Sequence, residues 1–210
     1  MKSIGWLKMA LLSIRLPHCS RRNHSTDHGT NSQRLTDASE LIDCVVNKML
    51  MTRHAGLEDV AAMSHVLASS WKSAYRGIID DEFLDALKDS HWIDVLTTSI
   101  QTQTIYTMVL EEDEHVIGAA VLSPEQMDIH LVSFYLLPEK IGQGFGHRFY
   151  NDIETEFKHK GFTKCILDVL HDNTRAIRFY EAHGFSDTTK RIYPQLGEYE
   201  YTCNVYEKAW

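Results

Sequence analysis

Apolar positions along residues 49–210 follow two periods, and their alternation predicts an α/β chain. Met49 to His54 reads as a short first strand. Leu57 to Ser70 reads as a helix, with Val60, Met63, Ser64 and Leu67 on one face at helical spacing. A second helical region is expected from about Asp80 to Ile100, with Asp80 and Ser90 as N-caps. Thr104–Leu110 and His115–Leu122 are β-rich runs joined by Glu111-Glu112-Asp113-Glu114, a polar loop suited to a hairpin. His130–Leu137 is almost continuously apolar, as befits a central strand buried on both faces, and Pro138 cannot extend its ladder.

Further on, Phe145, Phe149, Ile153 and Phe157 recur every four residues, an amphipathic helix that Gly161 can end. Thr163–Leu170 reads as a strand and Thr174–His183 as a helix stopped by Gly184. β-rich runs near Phe185–Tyr193 and Tyr199–Glu207 close the chain. A strand, a crossover helix and a strand imply at least one parallel pair, and the hairpins on either side make the sheet mixed.

Residues 1–48 read as an N-terminal extension to a domain at 49–210. The first 50 residues hold seven Lys and Arg against four acids, while the whole chain carries a net charge of −8. Ile4, Leu7, Leu11 and Ile14 lie on one face of a short helix, but Lys8 interrupts the apolar run a secretory signal needs. An organellar targeting peptide, or a start assigned too far upstream, is the expected explanation. The cluster His18, Cys19, His24 and His28 lacks a paired-Cys half-site, so no metal is expected. Four separated cysteines, Cys19, Cys44, Cys165 and Cys203, argue against a disulfide scaffold and for a reducing, cytoplasmic setting. No stretch reaches the ~20 apolar residues of a membrane helix, so no membrane partner is expected. The acidic body repels phosphate backbones, which makes nucleic acid a poor partner and a cationic amine a better one.

The most informative segment runs Leu137-Pro138-Glu139-Lys140-Ile141-Gly142-Gln143-Gly144-Phe145-Gly146-His147-Arg148. A strand feeds a turn with three glycines at alternate positions, and a helix starts there. Unpaired N–H groups and partial positive charge make such a helix start a phosphate cradle, to which Lys140, His147 and Arg148 could add charge. It is neither the Gly-x-Gly-x-x-Gly dinucleotide fingerprint nor a P-loop. A tight turn using glycine for shape alone is the competing explanation. Thirty residues on, Asn173-Thr174-Arg175-Ala176-Ile177-Arg178-Phe179-Tyr180 starts a second helix. Asn173 and Tyr180, two turns apart, lie on nearly one line, so one ligand could meet both. Capping by Asn173 and packing of Tyr180 on Phe179 would explain the same residues.

Together the two segments resemble the coenzyme-binding motifs of the GNAT family of N-acetyltransferases. Ile141-Gly142-Gln143-Gly144-Phe145-Gly146 is similar to its Gln/Arg-x-x-Gly-x-Gly/Ala signature, with Ile141 departing from the Gln/Arg position. Asn173, Ala176, Tyr180, Gly184 and Phe185 match its Asn-x-x-Ala-x-x-x-Tyr-x-x-x-Gly-Phe segment, and Trp71 to Ile79 is similar to a stretch found in many bacterial members. The resemblance implies a mixed, mostly antiparallel sheet with a central splayed parallel pair, flanked by helices. It implies acetyl-CoA as co-substrate and no metal. Direct acetyl transfer to a primary amine of a small molecule or peptide, with a protein N-terminus or lysine as another acceptor, would follow. A module that binds acyl-CoA without turnover is the alternative. The glycine turn and Asn173 would hold the coenzyme, backbone N–H groups of Phe134, Tyr135 and Leu136 would meet the thioester oxygen, and Tyr180 would serve the departing sulfur. Trp71 and Tyr75 are candidates for the acceptor pocket. Glu111, Glu112, Glu114 and His115 near the hairpin do not single out a general base, Cys165 reads as an inert core thiol, and a homodimer is left open.

Overall fold

The computed structural model describes residues 49–210. The readings of Ile4 to Ile14 and of the His18–His28 cluster lie outside the described residues. Seven strands form one sheet in the order β1-β2-β3-β4-β5-β9-β6. They are β1 (Leu50–His54), β2 (Tyr106–Glu112), β3 (His115–Glu125), β4 (Asp128–Leu136), β5 (Lys164–Leu170), β6 (Ser186–Ile192) and β9 (Cys203–Ala209). β7 (Gln195–Leu196) and β8 (Tyr199–Glu200) form a separate two-stranded hairpin. Every pairing is antiparallel except β4 with β5, so the sheet is mixed and mostly antiparallel, as expected.

Side chains alternate across the sheet and build two cores. Val109, Ala119 and Val121 face helices α1 (Val60–Ala74), α2 (Asp81–Ala86) and α3 (Ile93–Thr102). Met108, Leu110, Ala120 and Leu122 face α4 (Phe145–His159), whose Phe149, Ile153 and Phe157 are fully buried. α5 (Thr174–Ala182) adds Ile177 and Phe179 to that second layer. No helix among the described residues is long and apolar enough to cross a membrane.

Several expected boundaries shift for local reasons. The region from Asp80 to Ile100 is two helices. Asp80 caps α2 by accepting from Phe83 N–H, but Trp92, not Ser90, stands at the start of α3. The α1 helix runs on to Ala74, past Ser70, and a 3-10 turn at Leu57–Asp59 precedes it. Glu111 and Glu112 belong to β2, because Asp113 and Glu114 alone make the turn, both with positive φ (50° and 65°), the signature of a two-residue hairpin. The last strand begins at Cys203 rather than Tyr199, since Tyr199 and Glu200 are taken by the small hairpin.

Candidate functional site

β4 and β5 pair only from Asp128↔Lys164 to Leu131↔Leu167, after which β5 continues with β9 and β4 with β3. The strands part where the β3–β4 register shifts: Leu122 opposes Leu131, Val121 opposes Ser133, and Val132 is the extra residue of a bulge. One flank of β4 is thereby left without a partner strand. Leu137 N–H donates to Ile117 O. By the alternation of an antiparallel ladder, Tyr135 and Ser133 then exchange bonds with β3, and the backbone groups of Phe134 and Leu136 turn into the gap. The Leu136 carbonyl is taken by the Ser70 hydroxyl at 2.6 Å, which leaves its N–H. Of the three backbone donors expected, Tyr135 is therefore corrected: it contributes its side chain, not its amide.

The gap opens into a cleft of about 590 Å³. Phe134, Tyr135, Leu136, Ile141, Gly142, Gly144, Gly146, Asn173 and Tyr180 all line it, so two motifs thirty residues apart in sequence meet around one space. The turn between β4 and α4 is a 3-10 turn at Pro138–Lys140 followed by Gly142 and Gly144, with φ of 83° and 85°. L-residues disfavour that conformation, and a β-carbon at either position would meet nothing within 4 Å, only open space. Gly144 is the N-cap of α4 and supplies no side-chain cap, so the first-turn N–H groups face the opening unsatisfied. Arg175 and His147 stand on the walls, and Arg175 makes no ion pair among the described residues. An extended ligand carrying a negatively charged group fits this cradle.

Other expected members lie elsewhere. The Gln143 amide turns back to donate to Glu139 O at 2.6 Å, and the Phe145 ring packs into the second core beneath the Lys140 ammonium, so neither side chain lines the cleft. Lys140 is held by Glu112 and Arg148 by Asp152, which removes both from the cradle's charge. Glu111 pairs with Arg53, and His115 bonds the Asp113 carbonyl on the exposed hairpin, so the acids near the hairpin are structural or solvated and not in the cleft. Cys165 is 1% exposed and burial pushes its thiol pKa upward, as an inert core thiol requires.

Three phenols gather at the floor. Tyr75 and Tyr135 bond hydroxyl to hydroxyl at 2.8 Å, and burial raises both, Tyr75 to about 12. Burial also raises Tyr180, so it stays a neutral hydrogen-bond donor. Asn173 keeps its capping role, its Oδ1 accepting from Ala176 N–H at 3.1 Å. Trp71 does not reach the cleft. It lines a smaller cavity of about 80 Å³ on the α1 side of the sheet, which shares Tyr75, Tyr135, Ser133 and Asp168 with the cleft. Ser133, Arg175, Phe179, His130 and Asp168 were not anticipated. His130 and Asp168 had a readable signal, since each is an ionisable residue directly flanked by apolar ones, Ile129 and Leu131 in β4 and Leu167 and Val169 in β5. Phe179 had none, because its stacking on Phe134 (5.7 Å between ring centres) depends on the fold.

The model of the family described as "Acetyltransferase (GNAT) family" matches residues 65–185. The chain is 27% identical over 138 residues to a spermidine N(1)-acetyltransferase of Thermoplasma acidophilum, covering 63% of this chain and 86% of that protein. Among solved structures, the PaiA N-acetyltransferase of Thermoplasma acidophilum in complex with coenzyme A is similar (TM-score 0.65, 24% identity, 77% of this chain and 99% of that one). The ribosomal-protein-S18-alanine N-acetyltransferase of Escherichia coli shares the fold at a TM-score of 0.58 with 16% identity, over 77% of this chain and 94% of that one.

Proposed function

The chain belongs to the GNAT acetyltransferase family, and on that premise we propose that it transfers an acetyl group from acetyl-CoA directly to a primary amine. The observation that carries this reading is the cleft itself: a bare helix start, an unpaired strand edge and a neutral phenol converge on one space. Acetyl-CoA supplies the activated acetyl group and an anionic pyrophosphate to grip.

The N–H groups at the start of α4, freed by Gly142 and Gly144, hold that anion, and Arg175 adds charge from α5. Ile141 offers no side-chain donor, so backbone amides carry the grip. The Phe134 and Leu136 N–H groups are aimed at the oxygen on which charge develops, a kind of contact worth roughly 2.7–4 kcal/mol per donor. Holding both reactants across the sheet gap supplies further acceleration. Tyr180 donates a hydrogen bond to the departing sulfur. Because burial lifts its pKa further above a thiol's ~8.5, full proton transfer from the phenol is uphill, and hydrogen bonding is its role.

The acceptor is a primary amine of a small molecule or peptide. The spermidine enzyme and the ribosomal-protein-alanine enzyme among the similar proteins support that class. Cys165, a buried thiol, supports a reducing, cytoplasmic setting. The test is thiol release by the full-length chain with acetyl-CoA and a panel of amines that includes spermidine and an N-terminal alanyl peptide. Amine-dependent thiol release is expected. Tight coenzyme binding with no release for any amine would leave an acyl-CoA-binding module instead.

A further inference from the structure

We propose that the hydroxyl-bonded pair of Tyr75 and Tyr135 closes the acyl end of the cleft and restricts the donor to acetyl-CoA; this rests on the acetyltransferase reading above. The cleft and the 80 Å³ cavity share both phenols. Trp71 and Leu196 line the cavity alone, whereas Phe134 and Tyr180 line the cleft alone, so the two rings stand where one space meets the other. On the reading above, the diphosphate lies at the α4 start and the sulfur at Tyr180. Tyr180 interacts electrostatically with both Tyr75 and Tyr135, which puts the pair just past the sulfur. The acyl carbons, the part of the donor beyond the sulfur, are therefore directed at the pair.

The pair is built to stay shut. Tyr75 comes from the end of α1 and Tyr135 from β4, and their oxygens meet at 2.8 Å. A buried hydroxyl that loses its partner costs free energy, so parting the two rings is opposed. The Tyr75 backbone is pinned as well: its N–H donates to Trp71 O, and its carbonyl accepts from the N–H groups of Ile78 and Ile79, both at 2.9 Å. Behind its ring, Trp71 packs edge-on at 5.0 Å between ring centres and is itself backed by Trp92 at 5.5 Å. Tyr135 is held by the β3 ladder, opposite Ala119. Neither ring swings away without opening this stack.

The cavity beyond defines what the pair excludes. Much of its wall is apolar (Trp71, Val132, Leu170, Ile192). At about 80 Å³ it has room for several groups of water or methylene size, at roughly 10–15 Å³ each. A propionyl or butyryl tail would fill that space favourably if the phenols were absent. With them in place, a longer tail has to break the 2.8 Å bond or hold its carbonyl short of the Phe134 and Leu136 N–H groups. One methylene in a close-fitting pocket changes kcat/KM by about 10–200-fold. An acetyl group stops short of the pair and carries no such cost.

The experiment compares the full-length wild type, Tyr75→Leu and Tyr75→Phe with acetyl-, propionyl- and butyryl-CoA as donors and spermidine or an alanyl peptide as acceptor. Coenzyme A affinity is measured in parallel by calorimetry. For the wild type, kcat/KM for propionyl-CoA is expected at least tenfold below that for acetyl-CoA, and butyryl-CoA lower again. Tyr75→Leu joins the cavity to the cleft, so its propionyl-to-acetyl ratio should rise at least tenfold while coenzyme A affinity stays within twofold. Tyr75→Phe keeps the ring but loses the bond, and its ratio should rise severalfold. A ratio of two donors cancels general damage to the fold, which lowers both alike. Should Tyr75→Leu fail to bind coenzyme A, Tyr75→Phe decides, and an unchanged ratio there overturns the assignment. Wild-type turnover of butyryl-CoA within threefold of acetyl-CoA also overturns it. A raised amine KM in Tyr75→Leu at an unchanged donor ratio overturns it in favour of an acceptor wall. An unmutated chain that binds coenzyme A but releases no thiol from acetyl-CoA overturns the acetyltransferase reading, and this assignment with it.

Discussion

The two helices that open onto the cleft start differently. α4 begins at Gly144, whose left-handed backbone brings no side chain to its first turn, so its amides stay open. α5 begins at Asn173, whose own Oδ1 satisfies Ala176 N–H and closes part of its first turn internally. Further along, α5 carries Tyr180 at the floor, whereas the inward face of α4 is the fully buried series Phe149, Ile153 and Phe157. The difference separates two duties: α4 grips an anion with its backbone, and α5 brings side chains to the chemistry. Coenzyme binding should therefore depend more steeply on the α4 start than on the α5 start, where the side-chain cap also carries stability.

The largest effect should come from the far end of α5. Tyr180→Phe is expected to lower kcat about 100-fold while leaving coenzyme affinity nearly unchanged, measured by thiol release at saturating coenzyme and amine. Unchanged turnover would move the sulfur's donor elsewhere and erase the contrast. Next is Gly144→Ala. Its β-carbon enters open space within the cradle, so the damage falls on the ligand. Loss of one hydrogen bond to a charged group, roughly 2 kcal/mol, raises the coenzyme Kd about 30-fold. Backbone strain costs the fold about 1 kcal/mol. A wild-type Kd in Gly144→Ala would place the anion off the α4 start.

How much of this was legible in sequence follows from the range of each signal. Period and capping are local, so β1, α4, β5 and α5 lie close to where the apolar spacing puts them, and Gly144, Asn173 and Tyr180 stand together at one cleft. The parting of β4 and β5 is a register event, visible only once Val132 is seen to be extra. With it went the orientation of the Tyr135 amide and the cavity behind the gap. Charge was misjudged for a similar reason: Lys140 and Arg148 sit beside the glycines in sequence, but Glu112 and Asp152 claim them in space.

Asn173 sharpens the comparison because its two side-chain atoms separate the two duties. Oδ1 caps α5, while Nδ2 makes no hydrogen bond among the described residues and the residue lines the cleft. Asn173→Ala removes both, and should cost about 1 kcal/mol of stability, a fall in Tm of roughly 2–4 °C. Asn173→Asp keeps a capping oxygen and favours the helix dipole, so its Tm should stay near wild type while coenzyme affinity falls severalfold. Equal melting temperatures for the two variants would show that the cap contributes nothing here.

The smallest effect concerns the clasp between the helices. His183, just past α5, donates from Nδ1 to Phe179 O at 2.7 Å, which leaves Nε2 to accept from His147 Nδ1 of α4 at 3.1 Å. Its ring lies 4.6 Å from Tyr150 of α4 and 4.3 Å from Phe179 of α5. Burial pushes the His183 pKa below the ordinary imidazole value, with the Phe179 carbonyl opposing and His147 adding to the depression. The unfolded chain therefore binds this proton at a higher pH than the folded chain does. The stabilisation from neutral His183 is present above about pH 6.5 and is lost as pH falls from there toward the depressed folded value. Thermal melts at pH 7 and pH 5 check this: the wild type should lose more of its Tm than His183→Asn, whose amide can still donate to Phe179 O but cannot titrate. Equal losses would show that proton uptake at His183 does not loosen the pairing of α4 with α5.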